Sequence, residues 1–215
     1  MATRIGVIGS GIVGQTLANG FVQHGYDVTI GTNDAKKRDA LNAKTPGATV
    51  ASFEDTARFG EIVVLAVKGT AAEEALRAAG PANLSGKTVI DTTNPIADAP
   101  PVNGVLQFFT SPNESLMERL QHLAPQARLV KAFSCIGNAF MVNPDFKGVK
   151  PTMFICGNDD AAKRDVTGIL DRFGFEVADM GGVEGARAVE PLCILWYIPG
   201  FRTNSWTHAF KLLRQ

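Results

Sequence analysis

Three glycines close to the start of the chain have the spacing of a phosphate-binding loop. The run GSGIVG, residues 9–14, follows an apolar strand-like segment and begins a helix-like one. In a G-x-G-x-x-G loop Gly9 would allow the tight turn, Gly11 would let a pyrophosphate approach the backbone, and Gly14 would let helix and strand pack closely. The helix N-terminus would offer its free N–H groups to the phosphates. This context predicts a dinucleotide site, with a glycine-rich turn that binds nothing as the alternative.

The end of the second predicted strand indicates which nicotinamide dinucleotide would fit. Folds that bind NAD place an acidic residue there for the ribose diol, whereas NADP is accommodated by a nearby cation at its 2′-phosphate. In this chain the strand-end residue is Thr32, and three cations follow within six residues. The Thr32 hydroxyl, the Asn33 amide and Lys37 could hold a 2′-phosphate, so we predict NADP rather than NAD. Asp34 could instead bind a diol, but we interpret it as the N-cap of a helix at 35–41.

Side chains suited to acid–base or nucleophilic catalysis are few. His24, His122 and His208 lie at helix ends or in an amphipathic segment, where a structural or surface role is the simpler interpretation. No Ser-His-Asp order, metal-ligand spacing or nucleophile elbow occurs, so we predict neither a catalytic residue nor a metal site. Lys131 is the one candidate proton donor, and an ion pair at the strand surface is its alternative role. Direct hydride transfer between two rings needs orientation and little proton chemistry from the protein.

The chain alternates short apolar segments with segments of helical period. Strands are predicted at 4–9, 28–31, 49–53, 62–67, 88–91, 128–134, 151–157 and 175–180, and helices at 12–24, 71–79, 111–123 and 159–173. Residues 62–67 are apolar at every position, which is typical of a parallel strand covered on both faces. The pattern predicts an α/β fold with a Rossmann-like, doubly wound, mostly parallel sheet that extra C-terminal strands extend. Residues 91–112, rich in Pro, Asn and Thr, are predicted to form a long loop.

The last part of the chain is expected to cover this sheet. Residues 183–215 show no clear strand, and Pro191 and the pair Pro199-Gly200 should divide them into two or three helical pieces. We therefore predict a dinucleotide-binding Rossmann domain at 1–134. Residues 135–215 should form a C-terminal extension that packs on it, with an acceptor pocket and a helical cap.

Composition excludes several classes of protein. Of 215 residues 45% are hydrophobic and 20% charged, the balance of an ordinary globular domain. With 21 basic and 21 acidic residues the chain has no electrostatic footprint for nucleic acid or an anionic membrane. No apolar run approaches the ~20 residues of a membrane span, and a strand-like segment from residue 4 argues against a signal peptide. The three cysteines, Cys135, Cys156 and Cys193, have no paired spacing and predict reduced thiols in a cytoplasmic protein.

A series of short motifs extends over nearly the whole chain. In order they are the loop at 9–14, Gly31-Thr32, Asn94-Pro95, Lys131-Ala132-Phe133, residues 153–160, 173–175 and 179–181, Ala186-Arg187 and Glu190-Pro191-Leu192. Together they resemble the NADPH:coenzyme F420 oxidoreductases. A related group is the cytosolic oxidoreductase domain of the six-transmembrane metalloreductases, which pairs NADPH with a flavin. The C-terminal motifs are more specific than the glycine loop, because they separate this group from generic Rossmann proteins.

The resemblance implies a homodimeric oxidoreductase that moves a hydride between NADP(H) and a deazaflavin (F420) or flavin ring stacked on the nicotinamide. It implies site residues as follows: Ser10, Gly11, Ile12 and Val13 at the pyrophosphate; Thr32, Asn33 and Lys37 at the 2′-phosphate; Ala66 and Val67 beside the adenosine and ribose; Ser134, Ile136 and Asn138 around the nicotinamide and the second ring. Two other functions remain open. One is an NADP(H)-binding sensor without turnover, and the other is an NADPH-dependent reductase of a small imine or keto substrate.

Three positions depart from the family pattern that the resemblance brings. Asn33 stands where an arginine is common, and Lys68 occupies a position after the fourth strand that proline often holds. Ser134-Cys135 replaces a His-Thr or Asn-Thr pair beside the reacting rings. The acceptor, whether F420, FMN or FAD, is therefore left open by the sequence.

Overall fold

The computed structural model describes residues 2–215 and contains a six-stranded sheet in which all neighbouring strands are parallel. The strands are β1 Arg4–Ile8, β2 Asp27–Gly31, β3 Ala48–Ala51, β4 Ile62–Leu65, β5 Thr88–Asp91 and β6 Arg128–Lys131. Their order is β3-β2-β1-β4-β5-β6. The chain therefore changes direction across the sheet between β1 and β4, and in such sheets ligands bind at the carboxyl ends beside this switch point.

Helices cover both faces of the sheet. They are α1 Ile12–Gln23, α2 Arg38–Lys44, α3 Phe53–Phe59, α4 Ala72–Ala79, α5 Leu116–Leu123, α6 Asp160–Arg172, α7 Ala186–Val189 and α8 Leu192–Thr203. One buried apolar cluster includes Leu17 and Phe21 of α1, and a second includes Leu76 of α4 and Met117 of α5. The side chains of β4 alternate between the two clusters, which explains why its sequence is apolar throughout. The predicted Rossmann-like α/β class is confirmed.

The two strands after β6 form a small sheet of their own. β7 Thr152–Ile155 and β8 Glu176–Asp179 pair in parallel, and one antiparallel bridge between Lys131 and Cys156 joins them to β6. The extra strands therefore adjoin the edge of the large sheet at a single point and do not continue its ladder, which refines the expected extension. Phe173, at the end of α6, packs against Phe21 and Phe133, so the C-terminal residues share a core with the Rossmann part.

Helix α5 begins later than the sequence predicts, at Leu116 instead of residue 111. The Ser115 hydroxyl accepts a hydrogen bond from the Glu118 N–H at 3.1 Å, and the Glu118 carboxylate accepts one from the Ser115 N–H at 2.8 Å. This capping box fixes the start of the helix. The preceding residues, 92–115, form the expected long loop, in which the described pairings are isolated bridges.

The prediction that Pro199 breaks the C-terminal helix is wrong. α8 passes through Pro199 and ends at Thr203, where Asn204 adopts the left-handed conformation. Proline leaves the carbonyl of Leu195 without its helical partner, but Leu195 lies on the exposed face, where water can hydrogen-bond that carbonyl. Residues 204–215 then run without helix back to β7, where the Phe210 carbonyl accepts from the Thr152 N–H at 2.8 Å. Within residues 2–215, no helix has both the length and the apolar character needed to cross a membrane.

Candidate functional site

The loop between β1 and α1 needs glycine for its own packing at two of the three motif positions. A Cβ on Gly14 would lie 1.9 Å from the carbonyl oxygen of Gly9, and Gly9 itself has a φ of 127°. Apart from its two chain neighbours, a Cβ on Gly11 would meet no atom of residues 2–215 within 4 Å. The φ of Gly11 is −72°, which suits any residue. The fold therefore gives no reason for glycine at position 11. The open space above it fits a pyrophosphate that approaches the backbone.

The N-terminus of α1 is available to an anion. Gly11 is its N-cap and offers no side-chain acceptor, and the first turn contains no acidic residue. Gln15 donates its side-chain N–H to the Ser10 carbonyl at 2.7 Å, which fixes the loop over the helix. Ile12 is 62% exposed at this end. The positive end of the helix is thus open to solvent, as phosphate binding requires.

Thr32 and Asn33 lie beside this loop, at the end of β2. Thr32 is buried, and its hydroxyl oxygen accepts hydrogen bonds from the Ser10 hydroxyl at 3.3 Å and from the Asp34 N–H at 3.2 Å. The side-chain oxygen of Asn33 accepts from the Phe53 N–H at 3.1 Å. Neighbouring elements therefore orient both side chains, and the Ser10 contact links the end of β2 directly to the glycine loop.

Lys37 and Asp34 form an exposed ion pair at the same end of the sheet. The Lys37 Nζ lies 3.4 Å from a carboxylate oxygen of Asp34, and the two side chains are 65% and 45% exposed. Asp34 also accepts from the Lys36 N–H at 3.0 Å as N-cap of a short 3₁₀ turn, Ala35–Lys37, in agreement with the predicted capping role. An exposed pair of this kind contributes about 0–1 kcal/mol, so a bound phosphate could replace Asp34 as the partner of Lys37.

A cleft of about 680 Å³, the first cleft, lies at the switch point between β1 and β4. Its walls come from the glycine loop, the segment after β4, the segment after β5 and helix α8. They comprise Gly11, Ile12, Val13, Ala66, Val67, Lys68, Gly69, Thr70, Thr92, Thr93, Asn94, Ile96, Ala97, Asp98, Ala99 and Tyr197. Its volume lies in the range typical of small-molecule and cofactor sites, roughly 300–1,000 Å³.

A second cleft, of about 380 Å³, adjoins the first over the ends of β5 and β6. The two clefts share Ile12, Val13, Thr92, Asn94 and Tyr197. The other residues of the second cleft are Phe133, Ser134, Ile136, Gly137, Asn138, Ala139, Phe140, Met141, Cys193, Trp196 and Trp206. Of the described residues that line it, none has a charged side chain. The floor of this cleft is therefore largely apolar and aromatic.

The structure distributes the predicted site residues over three neighbouring places. Gly11, Ile12, Val13, Ala66 and Val67 line the first cleft, and Ser134, Ile136 and Asn138 line the second, with Ile12 and Val13 common to both. Gly9 and Ser10 lie in the loop between β1 and α1, and Thr32, Asn33 and Lys37 lie beyond it at the end of β2. None of these last five lines either cleft. Their contacts with a cofactor remain predictions.

Asn94 is a site residue for which sequence reasoning gave only the turn that contains it. Its amide nitrogen donates to the Ser134 carbonyl at 2.8 Å, which ties the end of β5 to the end of β6. Within residues 2–215, the side-chain oxygens of Asn94 and Ser134 are buried without a hydrogen-bond partner. Buried polar atoms are rarely left unpaired, so these two oxygens suit the polar edge of a ligand. The placement of Asn94 just after a parallel strand was the signal available in the sequence.

Lys131 lies beneath these residues and not at the strand surface. It is fully buried, and its Nζ lies 2.6 Å from Asp91, 2.8 Å from Glu190 and 2.8 Å from the Thr93 carbonyl. Burial lowers the pKa of Lys131, but the two carboxylates outweigh that effect and hold the pKa above its usual value. All three ammonium protons are therefore committed. The expected ion pair is therefore present, although it is buried and not at the strand surface. Lys131 is not placed to donate a proton to a substrate.

Tyr197 is the titratable group that lines both clefts, and the sequence analysis did not single it out. Burial raises the pKa of its phenol, so the hydroxyl stays protonated at neutral pH. Cys193 also lines the second cleft, and burial raises its pKa to about 12. None of the three histidines, all within residues 2–215, lines either cleft. Over the same residues, no group of three or more His, Cys, Asp or Glu side chains is placed to hold a metal ion.

The parallel sheet, the glycine loop and the cleft at the switch point define a dinucleotide-binding protein of the Rossmann class. Residues 4–95 match the family described as NADP oxidoreductase, coenzyme F420-dependent. A crystal structure from Arthrobacter sp. FB24, described as a candidate F420-dependent NADP reductase, is 32% identical, with a TM-score of 0.91 over 98% of this chain and 99% of that one. The chain belongs to this family, the F420-dependent NADP oxidoreductases.

Other relatives are more distant. The metalloreductase STEAP3 of Rattus norvegicus is 29% identical over 202 residues, which cover 92% of this chain and 38% of that protein. The chain thus spans less than two fifths of the length of this curated relative. An imine reductase of Streptomyces aurantiacus has a TM-score of 0.67 at 20% identity over 93% of this chain and 63% of that one. At that identity the likeness concerns the fold alone.

Proposed function

We propose that the protein transfers a hydride between NADP(H) in the first cleft and a flavin or deazaflavin ring in the second. The observation that carries this proposal is the shared border of the two clefts, formed by Ile12, Val13, Thr92, Asn94 and Tyr197. Rings bound on either side of that border would lie in contact, as direct transfer requires. The family to which the chain belongs is described as dependent on coenzyme F420, in agreement with such an acceptor.

The glycine loop and the end of β2 would hold the phosphates of the cofactor. The free N–H groups at the start of α1 would bind the pyrophosphate, and Thr32, Asn33 and Lys37 would bind the 2′-phosphate. Ala66 and Val67, which follow β4, would border the adenosine and ribose. When bound, NADPH supplies the hydride, and the residues of this chain orient the nicotinamide and exclude water.

The second cleft suits a flat, uncharged ring system. Trp196 packs so closely on Gly137 that a Cβ there would lie 2.7 Å from the indole. Tyr197 and Trp206 stand beside that indole, with ring centres 5.3 and 5.8 Å from it. Aromatic walls of this kind hold planar rings by stacking, and the unpaired oxygens of Asn94 and Ser134 would face the polar edge of such a ring.

Stopped-flow oxidation of NADPH, with F420, FMN, FAD and riboflavin offered in parallel, tests the proposal. We expect rapid hydride transfer to at least one of these acceptors. Ile136→Ala should slow single-turnover transfer more than it weakens NADPH binding, because a loosened second cleft costs orientation. Val149→Ala, an exposed control outside both clefts, should change neither. Tight NADPH binding without oxidation by any of the four acceptors would instead indicate the sensor function.

One observation favours the imine or keto reductase as a second candidate function. Such a reaction needs a proton donor beside the nicotinamide, and the protonated phenol of Tyr197 lines both clefts. Tyr197→Phe distinguishes the two functions. It should leave hydride transfer to a flavin or deazaflavin within about twofold, whereas reduction of a small imine or ketone would fall by 10²-fold or more.

A homodimer in the cytoplasm belongs to the same proposal. The loop tip at 102–105 lies beside the end of α8, and Val102, Val105 and Phe201 expose apolar side chains there. Neighbouring exposed apolar groups mark surfaces that associate. The three cysteines are free and buried, as in a reducing compartment. Light scattering coupled to size-exclusion chromatography measures the oligomeric state, and Val102→Asp should shift it toward monomer.

A further inference from the structure

The network of Asp91, Lys131 and Glu190 carries an excess of one negative charge inside the protein. Asp91 accepts hydrogen bonds from the N–H and the hydroxyl of Thr93, at 2.9 and 2.7 Å, in addition to its ion pair. Glu190 accepts from the N–H groups of Leu116 and Met117, each at 3.0 Å, in addition to its own pair. Each carboxylate therefore accepts two hydrogen bonds besides its ion pair with Lys131. Two anions then face one cation.

Neighbouring charges compensate this excess only in part. The partial positive charge at the N-terminus of α5 faces Glu190, and it amounts to about half a unit. Two surface cations near Glu190 already have partners, because Arg119 pairs with Glu114 at 2.5 Å and Arg187 pairs with Glu118 at 2.5 Å. A net negative potential thus remains at the network.

This potential acts on the floor of the candidate site. Thr93 lines the first cleft and makes three hydrogen bonds to the network: its carbonyl accepts from Lys131, and its N–H and hydroxyl donate to Asp91. Asn94, the next residue, lines both clefts. The network is therefore in contact with the residue next to Asn94, which lies at the border of the two clefts, where the proposed function puts the nicotinamide. It is buried, so its field is screened far less than that of a surface charge.

We infer that this network biases the site toward the oxidised cofactor, with Glu190 as the determining residue. The inference rests on the proposed function. The nicotinamide ring is neutral in NADPH and carries a positive charge in NADP⁺, so a negative potential beneath it stabilises the oxidised form. The same potential assists hydride departure, because positive charge develops on the ring as the hydride leaves. Glu190 would act without touching the cofactor.

Two variants of one position separate charge from geometry. Glu190→Gln keeps the length of the side chain and removes its charge, whereas Glu190→Asp keeps the charge and shortens the side chain. The dissociation constants of NADP⁺ and NADPH are measured by calorimetry for each variant, without any acceptor. We expect Glu190→Gln to raise the ratio of the dissociation constant of NADP⁺ to that of NADPH at least about threefold. Glu190→Asp should leave that ratio unchanged. The shift should persist at high salt, because its source is buried.

Equal changes in both constants for Glu190→Gln, or an equal shift of the ratio in Glu190→Asp, would overturn the inference and leave a positioning role. Glu118→Gln removes the same charge from the outer side of α5 and should leave the ratio unchanged. If Glu190→Gln fails to fold by its melting curve, Asp91→Asn decides by the same ratio. If the unaltered protein binds neither cofactor form, the proposed function fails; if it binds both and no variant shifts the ratio, this inference alone fails.

Discussion

The candidate cofactor site has a lysine paired with carboxylate at each end. The pair at one end is exposed to solvent, whereas the group at the other end is buried. At the end of β2, Lys37 is 65% exposed and lies 3.4 Å from Asp34. Beneath the ends of β5 and β6, Lys131 is fully buried, and its Nζ lies within 2.8 Å of carboxylate oxygens of Asp91 and Glu190. Exposed pairs contribute little and exchange partners freely, whereas a buried pair loses several kcal/mol when one member is removed.

The difference assigns distinct tasks to the two ends. The exposed lysine can leave its carboxylate for a phosphate, so the β2 end suits the selection between cofactors. The buried lysine cannot move, and through the Thr93 carbonyl it fixes the segment that lines the first cleft. The glycine loop lies between them, and we propose that it holds the pyrophosphate that both dinucleotides share. Substitutions in each of these three places should therefore have effects of different kinds.

Gly11→Val should have the largest effect on binding, an essentially complete loss of NADPH affinity. The added side chain would occupy the open space that the pyrophosphate requires, and that space is free of other atoms in residues 2–215. Folding should be nearly unaffected, since φ at this position is ordinary. Calorimetric titration and a melting curve measure the two quantities separately.

Gly168→Val is the matched control for that substitution. Gly168 lies in α6, where a Cβ would also meet no other atom within 4 Å, and it lines neither cleft. NADPH affinity should stay as it is in the unaltered protein. Normal NADPH binding by Gly11→Val would refute the interpretation of the glycine loop as a phosphate site.

Lys131→Met should have the largest effect on stability, a loss of about 3–5 kcal/mol in the free energy of unfolding. The substitution leaves two carboxylates buried without their cation, while the side-chain volume stays similar. Urea denaturation measures the loss, and Lys37→Ala, the exposed counterpart, should change stability by less than about 1 kcal/mol. Similar values for the two variants would remove the contrast between the ends of the site.

The sequence predicted the parts of this architecture that depend on local pattern. The glycine loop, the order of strands and helices and the capping role of Asp34 follow from spacing and residue type over a few positions. The ion partner of Lys131 could not be predicted, because Glu190 is 59 residues further along the chain and meets it only through the fold. The same holds for Tyr197, which is 100 or more residues from most of the other lining residues of the first cleft and meets them only because α8 packs there.

Lys37→Ala should cost about 1.5–3 kcal/mol in NADPH binding and almost nothing in NADH binding, if this lysine holds the 2′-phosphate.

Asp34→Asn keeps a capping oxygen but removes the charge that competes for Lys37, so it should tighten NADPH binding severalfold. Calorimetry with both cofactors measures these changes. Equal losses for NADH and NADPH would show that the β2 end does not select the cofactor.

The smallest expected effect is that of pH on the hydride step between about pH 6 and 8. A group matters in that range only if it titrates there beside the rings. The pKa of Tyr197 is raised by burial and that of Cys193 lies at about 12, so both stay protonated throughout, and the raised pKa of Lys131 keeps its ammonium charged. An essential histidine of ordinary pKa near 6.5 would instead produce a steep limb.

Single-turnover oxidation of NADPH across this range measures the dependence directly, and the rate should vary by less than about twofold. The histidines lie outside both clefts: His24 hydrogen-bonds Asn143, and the ring of His208 bonds the Trp196 carbonyl. A steep limb that disappears in a His24, His122 or His208 variant would contradict this account and favour the small-substrate reductase. A limb that disappears in Tyr197→Phe would point to the phenol as the proton donor. A flat pH profile in the unaltered protein and in all of these variants would indicate that hydride transfer depends on the geometry of the two rings. The buried network contributes to that geometry by holding the segment at Thr93 that lines the first cleft.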